Sequence, residues 1–304
     1  MGDIDITLQQ SSAKENFEAP KKILVTGATG FIGNYVIEEL IKQGITIIAT
    51  SVNKTKAAEK PWYHLVNYIP FDFNDFNPQV NYQIFFNNPD AVIHLAWQGL
   101  PNYNSAFHTE QNLPQHFKFI NNLVEHGQKN ITVTGTCFEY GMQQGCLSED
   151  MEAMPANAYA MAKDSLRRQI QLLQQHFEFS FKWVRLFYMF GAGQNANSLL
   201  SQLDKALQNG DAVFNMSGGE QVRDYLPVEK VAANIVAIAL QQSVTGIINC
   251  CSGKGITVKE FVQNYLKAKN KSIHLNLGFY PYTDYEPMSF WGDDDKLNKI
   301  FEKK

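Results

Sequence analysis

Two groups of residues in this chain have the types and spacing to do chemistry together. Tyr159 and Lys163 stand four residues apart in Tyr159-Ala-Met-Ala-Lys163, a spacing that puts both on one face of a helix. An ammonium beside a phenol lowers the phenol's pKa and makes it a proton donor or acceptor near neutral pH. Upstream runs Gly27-Ala-Thr29-Gly30-Phe31-Ile32-Gly33, a turn able to hold a dinucleotide. Gly27 suits the tight turn, Gly30 lets backbone approach a pyrophosphate, and Gly33 allows close helix packing. The helix behind the turn offers free N–H groups and the positive end of its dipole. In this order the two groups read as hydride chemistry on a nicotinamide.

The end of the second strand bears on which nicotinamide. An acid there accepts from a ribose 2′-hydroxyl and repels a 2′-phosphate. This chain has Thr50-Ser51-Val52-Asn53-Lys54, with no acid. Ser51 can donate to a phosphate, and Lys54 or Lys56 can pair with it. NADP(H) is therefore the favoured cofactor, with NAD(H) as the alternative. Asp72, next to Phe73, follows the third strand, where a carboxylate either accepts from an adenine amino group or closes an ordinary turn.

Such groups need a sheet to position them. Apolar, β-branched runs predict strands at 22–26, 45–50, 65–71, 91–96, 131–136 and 182–187, with a helix at 34–43 and long helical stretches at 107–124 and 159–177. Alternating strand and helix specify an α/β fold, a doubly wound parallel sheet of Rossmann type. After about residue 191 the pattern turns irregular and polar, with helices expected at 228–240 and 257–267. The expected organisation is a mobile N-terminal tail over 1–20 and a dinucleotide-binding domain with the catalytic residues over 21–190. Residues 191–304 form mainly a smaller substrate-binding lobe, with segments returning to the first domain. His94 lies in an apolar strand and reads as packed, and Cys250-Cys251 end a strand.

The chain has 304 residues and a net charge of −4, which gives no reason to expect nucleic-acid or membrane-surface partners. Its four cysteines lack metal-ligand spacing, so no metal site is expected and a reducing cytoplasm is the expected location. No apolar run is long enough for a membrane span. The N-terminus lacks the pattern of a secretory signal.

From about residue 21 to the C-terminus, a series of motifs resembles the extended short-chain dehydrogenase/reductase family, in the branch acting on nucleotide-linked sugars. The pieces are Thr26-Gly27-x-x-Gly30-Phe31-Ile32-Gly33, His94-Leu95-Ala96, Thr136 with Tyr140-Gly141, Pro155 with Tyr159-x-x-x-Lys163, Val184-Arg185-Leu186-Phe187 with Phe190-Gly191-x-Gly193-Gln194, and Arg223-Asp224-Tyr225. The resemblance implies that Thr136 hydrogen-bonds the substrate oxygen and that Tyr159 exchanges a proton with it. Lys163 would bind the nicotinamide ribose and hold the tyrosine's pKa down. It also implies cofactor contacts at Leu95 and Ala96, substrate contacts at Gln194 and Arg223 (the latter gripping a diphosphate), a structural or proton-path role for Asn112, and a homodimer.

Members differ in what they add to the shared set. The 4,6-dehydratases carry an Asp-Glu pair directly after the Thr, where this chain has Cys137 and Phe138. Phenylalanine transfers no protons, so 4,6-dehydration is not expected; Cys137 and Phe138 are expected to line the substrate site. The block around Thr136 looks like that of dTDP-4-dehydro-6-deoxyglucose reductases. The expected activity is reduction of the C4 keto group of a nucleotide-linked 4-keto-6-deoxyhexose. The alternatives are a 4-epimerase with bound NAD, and a non-catalytic nucleotide sensor on the same fold. Near the C-terminus many members have an arginine that helps bind the nucleotide; the segment 279–287 has none.

Overall fold

The structure is a computed structural model describing residues 19–284 and 286–302; the tail expected at 1–20 falls almost wholly outside them. The chain runs β1 (Lys22–Thr26), α1 (Phe31–Lys42), β2 (Thr46–Thr50), α2 (Lys54–Ala58), β3 (Asn67–Tyr68), α3 (Tyr82–Phe85), β4 (Ala91–His94), α4 (Leu113–Glu125) and β5 (Asn130–Thr136). It continues through β6 (Gly145–Leu147), α5 (Ala158–Leu173), β7 (Ser180–Leu186), β8 (Tyr188–Phe190), α6 (Leu199–Asn209), β9 (Val213–Asn215), β10 (Val222–Arg223) and β11 (Tyr225–Pro227). The last elements are α7 (Val228–Leu240), β12 (Gly246–Cys250), β13 (Ile256–Thr257), α8 (Val258–Ala268), β14 (His274–Asn276), β15 (Phe290–Gly292) and α9 (Asp295–Phe301).

Seven strands form one sheet in the order β12-β7-β5-β4-β1-β2-β3, and every pairing in it is parallel. The order reverses between β1 and β4, and in such sheets ligands bind at the carboxyl ends beside that reversal. Both faces are covered, which is why the strands are apolar on both sides. On one face α1, α7 and α9 bury Val36, Ile37, Leu40, Ile235, Ile238 and Leu297 against Ile23, Val25 and Ile248. On the other, α4 and α5 bury Phe119, Leu123, Leu166 and Ile170 against Leu24, Val92 and Ile131. Each large side chain so buried contributes roughly 1.5–3 kcal/mol. A smaller core joins α6 and α8 through Leu203, Phe214, Met216 and Val262.

Three expectations shift. The third strand is only two residues long and forms the sheet's edge, where Pro70 is tolerated because its neighbours Ile69 and Phe71 supply the donors to Ala49 O and Ser51 O. The helix expected at 107–124 opens as a wide π-turn over His108–Asn112 before α4 begins. Pro114 cannot donate to residue 110, so a regular α-helix is not sustained there. α5 stops at Leu173, short of the expected 177.

Candidate active site

Thr136 is the last residue of β5 and also the N-cap of a 3₁₀ turn over Cys137–Tyr140. Its hydroxyl accepts from Phe138 N at 3.3 Å. The Glu139 carboxylate reaches back to accept from Thr136 N at 2.9 Å, completing a capping box. Glu139 is buried and also accepts from Trp183 Nε1 at 2.9 Å and Arg185 Nε at 2.8 Å. Burial raises its carboxyl pKa, and Arg185 acts against that rise. A Cβ on Gly135 would lie 2.1 Å from Trp183 Nε1 and 2.4 Å from Glu139 Oε1; only glycine lets this network close behind Thr136. Tyr140 donates to Asn249 Oδ1 at 2.8 Å, with the Arg185 guanidinium 4.3 Å from its ring centre.

Asn157 caps α5 by accepting from Ala160 N at 2.9 Å, which sets Tyr159 and Lys163 over the ends of β4 and β5. The Lys163 ammonium donates to Thr134 O at 2.9 Å and lies 4.1 Å from the Trp97 ring centre. Burial lowers its pKa to about 7. Tyr159 packs among Trp97, Tyr103 and His108. Its phenol pKa is raised, first by burial and then by the Glu139 charge, with a hydrogen bond to the Thr136 side chain acting the other way. The expected lowering by Lys163 is therefore corrected: the ammonium is held on Thr134 and Trp97, and burial governs the phenol.

A chain of neutral imidazoles backs this group. Thr26 Oγ1 accepts from Leu95 N and Ala96 N at 3.2 and 3.3 Å, leaving its proton for His94 Nδ1 at 2.9 Å. His94 Nε2 then donates to His116 Nδ1 at 2.9 Å. Burial drives His94 down to about 3. It is a packed residue, as its strand position suggested. Trp97 donates to His108 Nδ1 at 3.1 Å, so His108 donates from Nε2 to Asn102 O at 3.0 Å. Asn112 is buried and donates to Gln98 O at 2.9 Å, a structural bond that ties the π-turn to the loop after β4.

The glycine turn fits a dinucleotide. Gly27 sits at φ +69°, where a side chain is strained, and its Cβ would lie 2.9 Å from Ala96 N. A Cβ on Gly33 would fall 2.2 Å from Gly27 O. Gly30 caps α1 without any side-chain bond, so the first N–H groups of that helix face the turn. A cavity of about 420 Å³ runs from this turn to the catalytic group. It is lined by Gly27, Gly30, Phe31, Ile32, Gly33, Leu95, Gly135, Thr136, Cys137, Phe138, Tyr159 and Gln194 among others. Its size lies in the range of small-molecule sites.

The other expected residues lie elsewhere. Asp72 lines a separate hollow with Val52, Phe71 and Tyr82 beyond β2 and β3, and its carboxylate accepts from Asn74 N at 2.9 Å. The Phe73 side chain is buried against His94, His116 and Phe119. Ser51 Oγ is bonded to Tyr68 OH at 2.9 Å. Lys54 opens α2 and is exposed, while Thr29 and Ala96 flank the turn without lining the cavity. Arg223 is buried and pairs with Glu286 at 2.9 Å rather than standing free in the cavity. Burial raises the Cys137 thiol, leaving a small apolar wall. The motif reading missed Trp97, Glu139, His108, Tyr188 and Glu286. Glu139 was findable, because Thr136-x-x-Glu139 is a capping-box pattern; Trp97 and Glu286 gave no local signal.

Fold and site together define an α/β protein of dinucleotide-binding type in which Thr136, Tyr159 and the glycine turn line one cavity. The sequence model of the NAD dependent epimerase/dehydratase family matches residues 23–251, and the chain belongs to that family. It is 29% identical over 272 residues to the dTDP-6-deoxy-L-talose 4-dehydrogenase (NAD(+)) of Aggregatibacter actinomycetemcomitans, covering 89% of this chain and 98% of that protein. It is 22% identical over 259 residues to dTDP-4-dehydro-6-deoxyglucose reductase of Escherichia coli, covering 82% of each. Among solved structures, the UDP-N-acetylglucosamine 4-epimerase of Methanobrevibacter ruminantium M1 superposes with a TM-score of 0.80 at 21% identity, over 93% of this chain and 92% of that one. Among the described residues, no helix is long and apolar enough to cross a membrane.

Proposed function

We propose that the protein reduces the C4 keto group of a nucleotide-linked 4-keto-6-deoxyhexose. The observation that carries this reading is the convergence of Thr136, Tyr159 and the glycine turn on one cavity, with the Trp97 ring contacting both Tyr159 and the Lys163 ammonium. A nicotinamide bound along the turn supplies the hydride. The chain's own residues do the rest. Thr136 Oγ donates a hydrogen bond to the keto oxygen, and Tyr159 gives that oxygen its proton. A phenol whose pKa is raised holds its proton at neutral pH, as the donor in a reduction must. Leu95, Phe138 and Tyr188 wall the site with apolar and aromatic surface. The wall positions after Thr136 carry no proton-transferring carboxylate, which disfavours dehydration.

The similarity to proteins named as oxidoreductases at position 4 of dTDP-linked 6-deoxyhexoses supports the choice of carbon. The missing acid after β2 and the exposed Lys54 support NADP(H) over NAD(H). The expected residues 191–304 supply the substrate lobe, and two copies pair as a dimer. The 4-epimerase reading uses the same catalytic residues, so it is separated by isotope. With NADPH carrying two deuteriums at C4 of the nicotinamide, a reductase places one deuterium at C4 of the sugar per cofactor consumed. Interconversion of C4 epimers without net cofactor consumption would replace the reductase reading with the epimerase one.

A further inference from the structure

Arg223 is the one residue assigned to substrate that meets a partner of opposite charge. Its NH1 donates to Val222 O at 2.8 Å and Met288 O at 3.2 Å, and its plane lies 4.6 Å from the Phe290 ring centre. These contacts fix the guanidinium whatever else happens. The remaining nitrogen, NH2, donates to Glu286 Oε2 at 2.9 Å, and the same oxygen accepts from Tyr188 OH at 2.7 Å. Tyr188 and Cys137 line the catalytic cavity, and the charges of both Glu286 and Arg223 act on the Cys137 thiol. The ion pair thus stands directly behind Tyr188, a residue of the cavity wall.

We infer that the Glu286 carboxylate is a built-in competitor for the diphosphate of the substrate, holding the face of Arg223 that the diphosphate must take. The inference rests on the nucleotide-sugar reading above. A guanidinium accepts a carboxylate or a phosphate in the same fork geometry, so the two anions contend for one set of donors. Two negative groups close together at this wall also repel. Substrate therefore binds by exchanging one anion for another at Arg223, and Tyr188 is released from Glu286 in the same event. The device makes recognition selective. A neutral or singly charged sugar phosphate cannot displace the carboxylate as well as a diphosphate does, and without an anion the buried guanidinium is never left unpaired.

The test is calorimetric titration of dTDP and of UDP into the full chain, as wild type and as Glu286→Gln, with thermal melts of both. The variant is expected to melt lower than wild type without nucleotide, because Arg223 loses its counter-charge. It is expected to bind at least one of the two nucleotides about tenfold more tightly, close to 1.4 kcal/mol, and to gain more in melting temperature from it. Glu286→Ala, which offers Arg223 no acceptor, must show a gain at least as large. Arg223→Met in the Glu286→Gln background must abolish it. A purely structural carboxylate would lower the melting temperature while leaving nucleotide affinity equal or weaker. That result, with wild type binding either nucleotide, would overturn the inference and leave the proposed function standing. If neither nucleotide binds any of the proteins, the inference falls, and the proposed function stands only for a sugar linked to another nucleotide.

Discussion

Replacing Glu139 by alanine probes the frame behind the catalytic threonine. The carboxylate and its Arg185 partner expose only 0% and 1% of their side chains. Its loss strands a guanidinium whose NH1 already has no partner and frees the Trp183 and Thr136 N–H groups. Breaking a buried pair from one side costs about 3–5 kcal/mol, a large share of the roughly 5–15 kcal/mol that holds a domain folded. At about 2.1 cal/mol/K per residue, a chain of 304 residues unfolds with an entropy near 0.6 kcal/mol/K, so the melting temperature should fall by roughly 5–8 °C. Differential scanning calorimetry reads this directly. Arg185→Met added to Glu139→Ala should recover at least half the loss, since the stranded charge is gone. The turnover of both variants should fall, because Thr136 loses the carboxylate that pins its backbone. A drop below about 1 °C in the single variant, or no recovery in the double, would refute the claim that a buried charge pair braces this turn.

Tyr159→Phe should cut turnover by roughly 10²–10⁴-fold, the scale of a lost general acid, with cofactor affinity nearly unchanged in a fluorescence titration; wild-type turnover would remove Tyr159 from the mechanism. Ser51→Asp should lower NADPH affinity relative to NADH, measured as the ratio of kcat/KM values, and an unchanged ratio would misplace the 2′-phosphate pocket. Lys182 is buried and bonded only to amides, Asn130 Oδ1 at 2.6 Å and Gln242 Oε1 at 3.4 Å, and burial lowers its pKa to about 7. Between that value and its unfolded pKa near 10.4 the unfolded chain binds more protons, so this group's contribution to stability rises with pH across that window. Lys182→Met should therefore be stabilised relative to wild type at pH 7, and the gap should narrow by about 2 kcal/mol at pH 9. A gap that does not change with pH in urea titrations would show that Lys182 is not held neutral.

The sheet was legible because its strands are short apolar runs separated by helical periodicity, and such alternation admits few topologies. The two-residue β3 was not, since an edge strand is limited by hydrogen-bond partners that the apolar run 65–71 does not reveal. The π-turn over His108–Asn112 was likewise hidden, although Pro114 marked where regular helix had to be interrupted. In the site, Thr136, Tyr159 and Lys163 could be named because each sits at a fixed place relative to a strand end or a helix turn. The electrostatics could not. Whether Lys163 acts on Tyr159 or on Trp97 depends on a ring that arrives from the loop after β4, and the burial that governs both pKa values is a tertiary quantity. Arg223 was singled out through the family resemblance alone, and its pairing with Glu286 joins positions far apart in sequence.

The most direct test of the account is the absorbance of NADPH, with NADH in parallel, when dTDP-4-dehydro-6-deoxyglucose is added to the purified protein. The account predicts stoichiometric oxidation of NADPH, faster than that of NADH, with a 4-hydroxy sugar as product. No oxidation of either cofactor, together with tightly bound NAD in the purified protein, would contradict it.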